Sequence, residues 1–216
     1  MRNESAEPIQ LAIFAKAPIA GYAKTRLIPH LGPKGAAMLQ AFLLRRTVQT
    51  ALASLLRPVS LWCAPDADHE LFRSLQGEYG IDTHVQAEGD LGTRMFDTFE
   101  RLTWRAPTLL IGTDCPMLTA VHLDRCGFAL RDGSDAVFIP AEDGGYALVG
   151  LRKPARRLFE DVSFGTDAVM RQTRERLNEL SWKVFEADEL WDLDTPADYL
   201  RARSEGLLTG SRLDGR

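Results

Sequence analysis

Apolar residues along this chain come in short unbroken runs separated by amphipathic stretches of helical length. Residues 9–15 (IQLAIFA) are apolar apart from Gln10, and similar runs follow at 59–63, 108–112 and 135–140. Short apolar runs bounded by Gly or Pro predict strands buried on both faces, as in a parallel sheet. Residues 81–86 alternate instead, which puts that strand nearer a sheet edge. Residues 144–151 and 182–186 complete the expected strands. Between them, Gly32-Pro33 opens a long helix ending near Leu56, and Asp66 or Asp68 caps one running to Leu75. Leu91, Met95, Thr98, Phe99 and Leu102 give residues 91–104 one apolar helical face. Further helices are predicted over 119–131, over 166–180 with Gly165 or Thr166 near the cap, and over 194–207 with Pro196 in the first turn. Strands and helices alternate, the pattern of a doubly wound α/β sheet. The expected organisation is one domain over residues 9–205, with 1–8 and 206–216 as flexible termini.

The chain is organised around residues 108–118, TLLIGTDCPML. In open α/β sheets ligands sit beyond the carboxyl ends of the strands. Asp114 therefore belongs at the floor of a crevice, where a phosphate-handling enzyme places a metal-binding carboxylate. From local sequence alone, Asp114 as the cap of the helix beginning near Thr119 is the simpler reading, and the rest of the chain reverses that preference.

Three other blocks carry candidate chemistry. The loop KAPIAGYAKTRL (16–27) follows a strand and precedes a helix, where α/β proteins bind phosphates. Lys16, Lys24 and Arg26 crowd three cations into it, and Gly21 permits close backbone approach. The block lacks the spaced glycines and GK[ST] ending of a Walker A loop. In EGDLGTRM (88–95), Gly92 and Arg94 offer a second phosphate contact, unless Asp90 merely caps a helix. In AEDGGYALVG (141–150), Glu142 or Asp143 can serve as a base and Gly144-Gly145 can leave room for substrate; a plain DGG turn explains the same residues. In WDLDTPADYL (191–200), Asp192 and Asp194 point the same way if extended. Asp194 can cap the following helix while Asp192 binds metal.

Composition narrows the class. At 216 residues, 45% hydrophobic and 26% charged, the chain has the make-up of a soluble globular protein. Its net charge of −4 argues against non-specific nucleic-acid binding. No apolar run approaches a membrane span, and the N-terminus lacks the apolar core of a signal peptide. Cys63, Cys115 and Cys126 show no CxxC spacing, so a reducing cytoplasm is the simplest compartment. Cys115 reads as a small buried filler. His30, His69, His84 and His122 show no zinc-site spacing.

The four blocks, in this order, resemble a bacterial family of uncharacterised glycosyltransferase-like proteins (DUF2064, also labelled arsenosugar-biosynthesis-type glycosyltransferases), regarded as nucleotide-diphospho-sugar transferases. The resemblance covers roughly residues 9–204. KTRL and the GTDCP…DGGY pair are its specific parts, whereas WDLDTPADY is shared more widely with nucleotidyltransferases. It implies a GT-A-like three-layer α/β sandwich with a mostly parallel central sheet. It also implies Mg²⁺ or Mn²⁺ bridging the donor phosphates, with Asp114 as ligand and Asp192 or Asp194 completing the site. The DxD usual in such transferases is replaced by Thr113-Asp114-Cys115-Pro116.

The leading expectation is a metal-dependent transferase moving a sugar from a nucleotide-diphospho-sugar to a small-molecule acceptor. Lys16, Gly21, Lys24, Arg26, Gly92 and Arg94 would then hold the nucleotide and its phosphates, and Asp143 or Glu142 would activate the acceptor. The alternatives are an NTP-dependent nucleotidyltransferase, whose loop resembles that of the phospholactate guanylyltransferases, and a non-catalytic nucleotide-binding module. Oligomeric state leaves no mark in the sequence.

Overall fold

The computed structural model describes residues 7–209. Seven strands, β1 (Gln10–Lys16), β2 (Val59–Ala64), β3 (Asp82–Val85), β4 (Thr108–Ile111), β5 (Ala136–Pro140), β6 (Tyr146–Leu151) and β7 (Val184–Glu186), form one sheet in the order β3-β2-β1-β4-β6-β5-β7. Neighbours pair in parallel except β6, which is antiparallel to both β4 and β5. The helices are α1 (Ile28–Ala53), α2 (Glu70–Tyr79), α3 (Leu91–Leu102), α4 (Ala120–Arg131), α5 (Val169–Glu179) and α6 (Pro196–Ser204).

The period-2 alternation of β1 separates the layers. Leu11, Ile13 and Ala15 pack with Leu44 and Val48 of α1, Phe72 and Leu75 of α2, and Leu123 and Leu130 of α4. Ala12 and Phe14 face the other way, into the layer of Met95 and Phe99 from α3 and Met170 and Leu177 from α5. The result is the three-layer, mostly parallel arrangement expected, with the alternating strand β3 at the sheet edge. Helix α6 stands outside these layers. Its Tyr199 and Ala202 pack with Trp191 and Leu193 against Leu39 and Leu43 on the outer side of α1.

Element boundaries moved where side chains compete for the first turn. His69, rather than Asp66 or Asp68, caps α2, its Nδ1 accepting from the Leu71 N–H at 3.1 Å. Asp66 is engaged two residues earlier, accepting from the Asp68 N–H. Thr195, rather than Asp194, caps α6 in a capping box with Asp198. Thr119 caps α4, leaving Asp114 free of that duty. Helix α1 begins before Gly32-Pro33, but Gly32 (φ 68°, ψ 166°) interrupts it, so the long regular segment still starts at that pair.

Residues 1–6 and 210–216 of the termini expected to be flexible lie outside the described residues. At the described ends the chain is tied down: the Glu7 carbonyl accepts from Arg131 Nε, and Leu208 is buried beside α1 and α6. Among the described residues no helix is long and apolar enough to cross a membrane.

Candidate active site

The strand order reverses at β1, with β2 on one side and β4 on the other, so the loops leaving these strands diverge and open a crevice at their carboxyl ends. A cavity of about 480 Å³ occupies it. Its lining residues come off four adjacent strands: Gln86 after β3, Ala64 ending β2, Lys16 ending β1, and Gly112 to Cys115 after β4. Because β6 is antiparallel, its first residue, Tyr146, reaches the same edge.

Lys24 lies at the centre of the polar end. Its side chain is 4% exposed, and its ammonium contacts Asp114 Oδ1 at 2.5 Å, Asp194 Oδ1 at 3.0 Å and the Leu193 carbonyl oxygen at 2.6 Å. Lys24 takes a left-handed backbone conformation (φ 49°) to do so, strain that these three partners hold in place. Burial alone would lower its pKa, but Asp114 and Asp194 outweigh burial and hold the ammonium above its ordinary value. Sequence reading offered Lys24 as a free phosphate-binding charge; instead it links the two carboxylate loops. Lys24→Met should lower stability by about 2–3 kcal/mol, because the remaining carboxylates lose their counter-ion. The loss should be greatest at pH 8 and smaller at pH 5, where Asp192 is protonated and the cluster carries one charge fewer; thermal denaturation at both pH values checks this.

Asp192 lines the cavity beside this pair. Burial first, then the charges of Asp114, Asp143 and Asp194, push its carboxyl up to about 7, against the opposing pull of Lys24. Asp114, Asp192 and Asp194 thus meet at this end of the cavity around the buried Lys24, while Asp143 acts on Asp192 from outside the cavity lining. Arg26, exposed at the rim, reaches Asp194 Oδ2 at 3.6 Å, and Lys16 lies over the Tyr22 ring at 4.5 Å. Cys115 also lines the cavity; burial pushes its thiol up to about 12, which suits a filler rather than a nucleophile.

Other candidates are drawn elsewhere. Glu142 does not line the cavity: its carboxylate forms a two-pronged pair with Arg201 of α6 (2.8 and 3.3 Å), which removes it as a base. Gly92 is a packing glycine, since a Cβ there would lie 2.7 Å from Phe164 and 2.9 Å from the Phe159 carbonyl. Gly144 (φ 86°) serves its own chain in the same way, a Cβ falling 2.3 Å from the Asp167 carbonyl oxygen. Gly144→Ala should therefore cost about 2 kcal/mol, read as a fall in Tm. Gly145 accommodates Asp143, whose Oδ1 accepts the Gly145 N–H at 2.9 Å. Gly21 (φ 86°) turns the exposed loop and does not line the cavity. Arg94 does line it, and donates to Gln86 Oε1 at 3.0 Å.

Sequence reading missed Gln40, Gln86 and Tyr146. Gln40, buried on α1, donates to Thr113 Oγ1 at 3.0 Å and braces the turn before Asp114. A buried Gln on an otherwise apolar helix face was the available signal. Burial raises the pKa of Tyr146, keeping its hydroxyl protonated, and its hydrogen-bond partner is the Met95 sulfur at 3.8 Å.

The sheet and its crevice are shared with several solved structures. A protein of Desulfovibrio desulfuricans G20, provisionally named a nucleotide-diphospho-sugar transferase, superposes with a TM-score of 0.82 at 26% identity, over 94% of this chain and 89% of that one. CMP:2-keto-3-deoxy-manno-octonic acid synthetase, determined with CTP, matches at a TM-score of 0.60 and 11% identity over 92% and 98% of the two chains. Glucosyl-3-phosphoglycerate synthase of Mycobacterium tuberculosis, determined with Mn²⁺, UDP and glucosyl-3-phosphoglycerate, matches at 0.54 and 10% over 95% and 78%. At these lower identities the likeness is one of fold. No curated protein matches the chain. The family model for an uncharacterized protein conserved in bacteria (DUF2064) matches residues 47–166, and the chain belongs to that family.

Proposed function

We propose that the protein is a metal-dependent transferase that takes a sugar from a nucleotide-diphospho-sugar. The observation that carries this reading is the convergence of Asp114, Asp192 and Asp194 around the buried Lys24 ammonium, at the carboxyl ends of β1 and β4 and beside exposed Lys16 and Arg26. The provisional name of the Desulfovibrio protein supports it. So do the Mn²⁺ and UDP bound by glucosyl-3-phosphoglycerate synthase.

The donor set fits a hard divalent cation. The described residues hold no group of three or more His, Cys, Asp or Glu side chains placed to bind a metal. Mg²⁺, however, is commonly held by one or two carboxylates, with substrate phosphates and water completing its shell. Asp114 and Asp192 would supply those carboxylates, and the crowding that raises Asp192 is the charge imbalance a dication would relieve. Such an ion would neutralise charge on the leaving diphosphate. Lys24 holds Asp114 and Asp194 in register, and Arg26 and Lys16 offer charge at the rim; Asp143, outside the cavity lining but near enough to raise Asp192, is left as the residue to take the acceptor's proton.

A nucleotidyltransferase would use the same carboxylates, and the exposed cations Lys16 and Arg26 beside them suit a triphosphate as well. The leaving group separates the two. Incubation with NDP-sugars and NTPs, each with Mn²⁺ or Mg²⁺, should release NDP from a sugar nucleotide. Pyrophosphate release from an NTP would favour the second reading, and no turnover of either would overturn both.

A further inference from the structure

Opposite the carboxylates, the cavity ends at Gln86 and Arg94. The ends of β3, β2, β1 and β4 stand side by side, so this end lies three strand spacings, about 14 Å, from Asp114. With the phosphates of a nucleotide beside Asp114, at the exposed rim cation Arg26, its base falls here. We infer that Gln86 and Arg94 select a base bearing a carbonyl oxygen at purine C6 or pyrimidine C4 (guanine or uracil) over one bearing an amine there (adenine or cytosine). The inference rests on the nucleotide-binding reading above.

The hydrogen bonds at this end leave donors facing the base. The carbonyl oxygen of Trp62 accepts from Gln86 Nε2 at 2.8 Å, that of Cys63 from the Gln86 N–H at 3.0 Å, and that of Ala64 from the Ala17 N–H at 2.8 Å. The Asp90 carbonyl accepts from the Arg94 N–H and from Arg94 Nε, and Gln86 Oε1 accepts from Arg94 Nη1. These five acceptors each already take a hydrogen bond, whereas the second Nε2 proton of Gln86 and the Nη2 group of Arg94 remain to donate. An exocyclic amine placed against such an edge meets donors and loses its hydrogen bonds; a carbonyl oxygen gains them. The Nη2 group of Arg94 can donate to O6 of guanine or O4 of uracil. Leu91 and the half-buried Phe14 line the same cavity and offer apolar surface for the ring faces.

Titration calorimetry with GDP, UDP, ADP and CDP, in the presence of Mn²⁺, tests this. GDP and UDP should bind about tenfold or more tightly than ADP and CDP. Arg94→Met should bring GDP and UDP down to the level of the amino bases, leave ADP and CDP within about twofold, and keep the wild-type Tm. Gln86→Glu, which replaces the donating amide with an acceptor, should shift preference toward ADP and CDP, so the test does not depend on one variant. Equal affinity for all four, preference for the amino bases, or an equal loss of all four in Arg94→Met (a phosphate contact) would overturn the inference alone. Failure of every diphosphate to bind would overturn the nucleotide reading and the inference with it.

Discussion

Asp114→Asn should give a folded protein whose turnover is reduced by at least about a hundredfold. The asparagine keeps an oxygen that can accept from Lys24, and the Asp114 side chain is 46% exposed, so the lost charge is partly made up by water. The expected cost in stability is about 1 kcal/mol or less. What the variant lacks is a full negative charge on the turn that Gln40 braces and Lys24 orients. Activity on the donor found in the substrate panel, measured beside thermal denaturation, separates the two effects. Turnover within tenfold of wild type would remove Asp114 from the chemistry. A Tm collapse would mean that the Lys24 pair is mainly structural.

The second large effect concerns Asp192 and has a definite pH signature. Its carboxyl titrates near 7 in the folded chain, above its ordinary value of 3.8. Between these values the folded state keeps a proton that the unfolded chain releases, so stability falls as pH rises and is lowest once Asp192 is ionised. Asp192→Asn removes that penalty. It should stabilise the metal-free protein by on the order of 2–4 kcal/mol at pH 8, a rise in Tm of roughly 5–12 °C. The gain should shrink steadily toward pH 4. Added Mn²⁺ should stabilise the wild type at pH 8 and do little for the variant, because the ion stabilises the same charge that burial penalises. A gain independent of pH would show that the substitution acts through packing.

The sheet was readable in the sequence because burial on both faces writes strands as unbroken apolar runs, and β1, β2, β4 and β5 have that form. The edge strand β3 announced itself by alternating. Helix starts were harder: His69 and Thr195 outcompeted nearby aspartates through side-chain geometry that composition does not encode. The same limit applies at the site. The structure brings Asp114, Asp192, Asp194, Lys24 and Arg26 of the sequence reading to one crevice; they stood out because charged residues in the loops that leave buried strands are conspicuous. That Lys24 would face inward onto two carboxylates depends on where the segment before α6 docks, which no local pattern records. Glycines misled most. Gly92 and Gly144 make room for Phe159, Phe164 and Asp167 of the chain itself, and a glycine required by a ligand looks the same in one dimension.

The bond from Lys24 to the Leu193 carbonyl joins residues 169 positions apart in sequence. A contact of that separation carries a high loop-closure cost until the intervening sheet has formed, and it belongs among the last native contacts to appear. During synthesis the carboxylate cluster is therefore absent until the segment bearing Trp191 to Asp194 has emerged and α6 has settled against α1. The incomplete chain cannot assemble the polar end of its cavity, however much of its sheet has folded. Local opening of that last segment would likewise disassemble the cluster without unfolding the sheet, so hydrogen exchange at Leu193 and α6 reports on the fraction of molecules in which the cluster is assembled.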